Sequence, residues 1–106
     1  MNDTLKDLYS AIAEKKETPM EGSYTSYLFE RGIDKILMKI GEECTETILA
    51  AKNGSETEMV YEISDLIYHL TALMVEKNIY PEAVMGELAR RTEKLTSCQN
   101  SNSVSG

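Results

Sequence analysis

The chain has little of what most function classes need. Its two cysteines, Cys44 and Cys98, show no metal-ligand spacing, which excludes a disulfide scaffold and a cysteine-built zinc site. Basic residues are few: 11 Lys and Arg stand against 18 Asp and Glu, for a net charge of -7 and a pI near 4.7. Nucleic acid or an anionic membrane as main partner would need the opposite field. No apolar run approaches the roughly 18 residues of a membrane span. The start, MNDTLKDLYS, lacks the basic and apolar regions of a signal peptide, so a cytoplasmic protein is expected. Strand-type alternation, internal repeats and a glycine-rich phosphate loop are absent as well. At 106 residues the chain makes one domain with a small helical core and little apolar area to spare.

What the chain does have is acid in two clusters. Glu42, Glu43 and Glu46 lie in KIGEECTETILAAK, and Glu62 and Asp65 in YEISDLIYHL. Each run carries apolar residues at helical period, so acids three apart share one helix face. Asn53-Gly54-Ser55 between the runs reads as a helix stop followed by a start. If the helices fold back there, residues equidistant from the turn sit at equal height, because both rise about 1.5 Å per residue. Glu46 then faces Glu62 and Glu43 faces Asp65, in two layers roughly 4.5 Å apart. The stripe Ile33, Ile36, Leu37, Ile40, Cys44, Thr47, Ile48 and Ala51 is predicted to pack against Met59, Val60, Ile63, Leu66, Ile67, Leu70, Leu73 and Met74, which buries Cys44. The acids flank these stripes on one side of the hairpin. Carboxylates so placed repel and raise one another's pKa unless cations sit among them, so a metal site is the economical explanation.

Taken in order, residues 3–16 are predicted as a first helix, with Leu5, Leu8, Tyr9 and Ile12 at helical spacing. Residues 17–32 are predicted as a loop bracketed by Pro19, Gly22 and Gly32, and so long a loop in a small domain is often functional. Its hydroxyls at Ser23, Tyr24, Thr25, Ser26 and Tyr27 suit phosphate or ribose oxygens as well as turns and caps. Tyr24 and Tyr27 are the candidate substrate contacts. A second helix is expected over 33–53 and a third over 56–77, the latter opened by a capping box of Ser55 and Glu58. Asn78 suits a helix C-cap, and Pro81 the first turn of a shorter fourth helix. Residues 96–106 have almost nothing to bury and are expected to form a disordered polar tail after an all-α domain over 1–95. Lys35 and Lys39 either pair with acids one turn away or contact phosphate. His69 shares the face of Glu62 and Asp65 one turn on, and reads as a structural or ribose-neighbouring side chain rather than a metal ligand. The third helix is apolar on one side and carries Tyr61 and Tyr68 on the other, so a homodimer that completes a helical bundle around the antiparallel hairpin is expected.

The pairs Glu43-x-x-Glu46 and Glu62-x-x-Asp65 on facing helices resemble the all-alpha nucleoside triphosphate pyrophosphatase superfamily. The wider text, GSYTSYLFERGIDKILMKIGEECTETILAAKN followed by VYEISDLIYHLTALM, is similar to the phosphoribosyl-ATP pyrophosphatase family of histidine biosynthesis over most of residues 5–95. The resemblance implies Mg2+-dependent hydrolysis of phosphoribosyl-ATP between its α and β phosphates, giving phosphoribosyl-AMP and pyrophosphate. It also implies Glu43, Glu46, Glu62 and Asp65 as metal ligands, Glu42 as a further acid beside them, and Lys39 as the basic residue one turn before Glu43. Some members carry a fused cyclohydrolase; this chain is expected to be the stand-alone form. Independently, magnesium prefers the hard oxygen ligands that these acids supply. Two rival readings are another nucleotide pyrophosphatase of the superfamily and a non-catalytic helical dimerisation module. The serine and tyrosine stretch favours the histidine-pathway substrate over the first. Facing carboxylates disfavour the second, which gains nothing from them.

Overall fold

Five helices and no strand make up residues 3–97, the part described by this computed structural model. In chain order, α1 spans Thr4–Glu17, α2 Tyr24–Arg31, α3 Ile33–Asn53, α4 Glu56–Glu76 and α5 Pro81–Ser97. Local chemistry sets the boundaries. Ser23 caps α2, its hydroxyl accepting from the Ser26 N–H at 3.1 Å. Gly32 both ends α2 and opens α3, at a φ of 96° that glycine adopts without strain. Gly54 closes α3 in the left-handed conformation, and Ser55 caps α4 by accepting from the Glu58 N–H at 3.2 Å. At the other end of α4 the Ile79 N–H reaches the Met74 carbonyl at 2.9 Å and the Asn78 N–H reaches Val75 at 3.2 Å. With Asn78 at φ 58°, this is a Schellman closure. Pro81 then occupies the first position of α5, where a missing N–H leaves no bond unmade. No helix among the described residues is long and apolar enough to cross a membrane.

α3 and α4 form an antiparallel hairpin, with α1 packed on α4 and α2 on α3. The core joins Tyr9 and Ile12 of α1, Leu28 of α2, Ile36 of α3, and Ala72 and Val75 of α4. Ile36 and Ala72 are equidistant from the Gly54 turn, so this core clamps the open end of the hairpin and fixes its register. The acids of α3 and α4 lie between clamp and turn. Leu28 and Ile36 are fully buried, so truncating either to Ala costs about 2–5 kcal/mol and loosens the frame that holds the acids.

Three expectations need correction. The predicted loop over 17–32 contains α2, two turns long and stopped at Gly32. The predicted hairpin stripe is rotated: the buried or half-buried side of α3 is Ile36, Ile40, Glu43, Thr47 and Ala50, while Leu37, Cys44, Ile48 and Ala51 are exposed about 100° round the helix. On α4 the members Val60, Ile63, Ile67 and Leu70 are exposed too. Cys44 is therefore a surface thiol within this chain, not a core one. Periodicity finds the mean apolar direction of a helix; it does not say which neighbour covers it. Finally, α5 continues through Thr96 and Ser97, the first two residues of the expected tail, whose remainder with Cys98 lies outside the described residues.

Candidate metal and active site

Carboxylates from the two hairpin helices converge halfway along the hairpin. Glu43, on the inward face of α3, is only 7% exposed. Its carboxyl faces those of Asp65 and Glu62 on α4, close enough for both to act on its titration. Ligand atoms of Glu43, Asp65 and His69 all lie within 4.8 Å of one another. Thr47 stitches the helices beside them, its hydroxyl 2.8 Å from the Glu43 carbonyl and 3.4 Å from that of Glu62. Burial first, then hydrogen bonding to Asp65, pushes the Glu43 carboxyl up from 4.5 to about 7; Asp65 charge and Glu62 add to this and Lys39 opposes it. Acids this close share a proton or a cation. An oxygen-rich set of this kind fits a hard divalent ion.

The other candidates are spread around this centre. Lys39 donates to Glu42 at 3.0 Å and lies 3.8 Å from Glu43. The hydrogen bond with Glu42 is the largest influence on both, raising the Lys39 pKa and lowering that of Glu42. Glu46 is exposed on α3, outside the converged cluster, while Glu62 on α4 is half-buried and acts on the Glu43 carboxyl. Lys35 stands over the Tyr27 ring at 5.8 Å. Tyr27 also accepts from Arg31 at 3.2 Å, which places it at the surface end of α2. Tyr24 sits closer in: its hydroxyl is 2.9 Å from His69 Nε2.

His69 is 2% exposed and is the hub of this side of the site. Its Nδ1 lies 2.8 Å from the Asp65 carbonyl and 3.5 Å from the Asp65 carboxylate. Its ring meets Tyr24 edge-on at 5.7 Å and Tyr68 edge-on at 4.9 Å. Thr25 and Tyr68 form a further hydroxyl–hydroxyl bond from α2 to α4. Sequence reasoning passed over Thr47 and Tyr68 as site-builders, and read Thr25 as a substrate, turn or cap hydroxyl rather than a tie to α4. The signal for α2 was present, in the capping spacing of Ser23 and Ser26 ahead of a glycine stop.

Residues 5–92 match the phosphoribosyl-ATP pyrophosphohydrolase family. The histidine biosynthesis bifunctional protein HisIE of Caldanaerobacter subterraneus is 58% identical over 92 residues, which are 87% of this chain and 45% of that protein, so this chain spans under half of it. The phosphoribosyl-ATP pyrophosphatase of Listeria welshimeri is 51% identical over 100 residues, 94% of this chain and 96% of that one. That of Clostridium botulinum strain Kyoto is 50% identical over 99 residues, 93% of this chain and 90% of that one. A match over this much of both chains, on a helical hairpin with acids gathered at its middle, shows that the chain belongs to the phosphoribosyl-ATP pyrophosphohydrolase family.

Proposed function

We propose that this chain hydrolyses phosphoribosyl-ATP between the α and β phosphates, releasing phosphoribosyl-AMP and pyrophosphate in the cytoplasm, with Mg2+ as cofactor. The observation that carries the reading is the buried Glu43 carboxyl held against Asp65 and Glu62. Such a contact is stable only with a proton or a cation between the oxygens. Glu43, Glu62 and Asp65 would hold the ion, and Glu46, one turn along α3, would complete the set. Bound there, magnesium screens the polyphosphate and lowers the pKa of water.

The chain's own residues supply the rest. Lys39 is the cation beside the acids, and it trades Glu42 for a substrate phosphate. Once Lys39 has turned, Glu42 is left unpaired and takes the proton of the attacking water. Tyr24, Tyr27 and Lys35 line the approach from α2 and the start of α3, where Tyr27 and Lys35 offer donors to ribose and phosphate oxygens and Tyr24 offers its hydroxyl oxygen as an acceptor. The exposed apolar side of the hairpin, with Ile48 at 62% and Val60 at 58% exposure, supports a homodimer in which a second chain covers it. The principal extents of 55 × 33 × 27 Å describe an elongated body, whose small core leaves that apolar side outside it.

The test is pyrophosphate release from phosphoribosyl-ATP, ATP and deoxynucleoside triphosphates, each with and without Mg2+. Preference for phosphoribosyl-ATP, lost on chelation, is the expected result. Equal turnover of the deoxynucleotides would move the chain to a broader pyrophosphatase role, and no turnover of any would leave a dimerisation module.

A further inference from the structure

We infer that His69, the single histidine of the chain, is a positioning residue that fixes Asp65 and Tyr24 and gives no lone pair to the metal. This rests on the proposed reading of the acids as the metal site. Its nearness to Glu43 and Asp65 would suit a third ligand, but the hydrogen bonds of the ring argue otherwise. The Asp65 backbone carbonyl, 2.8 Å from Nδ1, can only accept, so Nδ1 carries a proton and has no lone pair to offer. Nε2 is taken by the Tyr24 hydroxyl at 2.9 Å, which donates to it in the neutral ring. Both nitrogens are thus spent on protein partners, and the ring, 2% exposed, is packed edge-on against Tyr24 and Tyr68.

What the ring achieves is a link between elements. Through Nδ1–H it pins the turn of α4 that carries Asp65, with the carboxylate itself 3.5 Å away. Through Nε2 it anchors the first residue of α2, the helix that Thr25 also ties to Tyr68. One side chain therefore sets the position of a proposed metal ligand relative to the helix on the substrate side. Outer partners of this kind orient a ligand that they do not replace.

A histidine 1H–15N correlation spectrum of the intact protein tests this directly, because one histidine gives one set of signals. Nδ1 should carry the proton and Nε2 the lone pair, and Mg2+ should leave that pattern unchanged. In Tyr24→Phe only the Nε2 signal should move. An Nε2–H ring, or loss of the pattern on adding Mg2+, would overturn the assignment. The variants His69→Leu and His69→Asn supply the functional half. Leu should raise the Mg2+ midpoint for thermal stabilisation and lower kcat/KM by about 10–100-fold. Asn, which keeps a donor where Nδ1–H stood, should recover most of both. A folded Asn variant with no Mg2+-dependent melting shift would make His69 a ligand, and wild-type values in both variants would remove the positioning role. The spectra and the melting curves use Mg2+ alone, so they stand whichever nucleotide is hydrolysed.

Discussion

Raising the pH of the metal-free protein should loosen its fold through one side chain, Glu43. Its carboxyl titrates at about 7 in the folded chain against an ordinary 4.5, so the folded state holds that proton more tightly than the unfolded state does. Below pH 4.5 both states are protonated and the Glu43 contacts contribute in full. As pH rises through 7 the folded chain must lose the proton, and that stability goes with it. At about 1.4 kcal/mol per pKa unit, the loss between pH 4.5 and 8 is about 3 kcal/mol. For a domain of this size that is a fall in Tm on the order of 15 °C. Circular dichroism melts in EDTA at pH 5, 6, 7 and 8 should show this fall in the wild type and not in Glu43→Gln, whose neutral amide stands in for the protonated acid. Added Mg2+ should restore the wild type at pH 8 and do little at pH 5, because ion and proton compete for the same oxygens. Parallel curves for wild type and variant in EDTA would refute the reasoning, since the slope would then belong to other groups.

Other expectations follow the same geometry. Glu46→Gln and Asp65→Asn should fold and yet lower kcat at least about a hundredfold, roughly 2.7 kcal/mol; near-normal steady-state turnover in both would return these acids to a solvated helix face. Lys39→Met should raise KM more than it lowers kcat while the Mg2+-dependent melting shift survives, and a lost shift would tie Lys39 to the metal site instead. Cys44→Ala should leave turnover intact, as suits a surface thiol outside the cluster of Glu43, Asp65 and His69, and an inactive folded variant would contradict that. Ile48→Asp places a charge in the middle of the exposed apolar side, so sedimentation should show the dimer dissociating; an unchanged particle mass would locate the dimer face elsewhere.

Much of this was legible because a helical hairpin is close to one-dimensional. Once Gly54 and Ser55 mark the turn, pairing follows from counting, and Glu43 meets Asp65 as counted. Glu46 stays outside that cluster, because Glu43 lies on the buried face of α3 and Glu46 on an exposed one. The helix α2 was hidden for a different reason. Eight residues rich in serine and tyrosine carry too few turns for periodicity, so only the Ser23 cap and the Gly32 stop betray it. The burial of His69 escaped because neighbours from α2 were invisible until α2 existed. Cys44 and Ile48 were misplaced because an apolar stripe is the same pattern whether this chain or a second one covers it.

Gly32 makes the two halves of the site behave as rigid arms on one pin. The arm before it carries Tyr24 and Tyr27, the arm after it Lys39 and Glu43, and no linker residue separates them. Nothing lies within 4 Å of where a Cβ would stand at Gly32, so an alanine there would meet no atom. It would still strain the backbone by about 1–3 kcal/mol at a φ of 96° and ψ of -175°, and a change of angle between the arms would relieve that strain. The strain would then load the ties that hold α2 in place, Leu28 in the core, Tyr24 on His69 and Thr25 on Tyr68. In the proposed site, the alignment of nucleotide with metal thus depends on the torsion of Gly32 as well as on those ties.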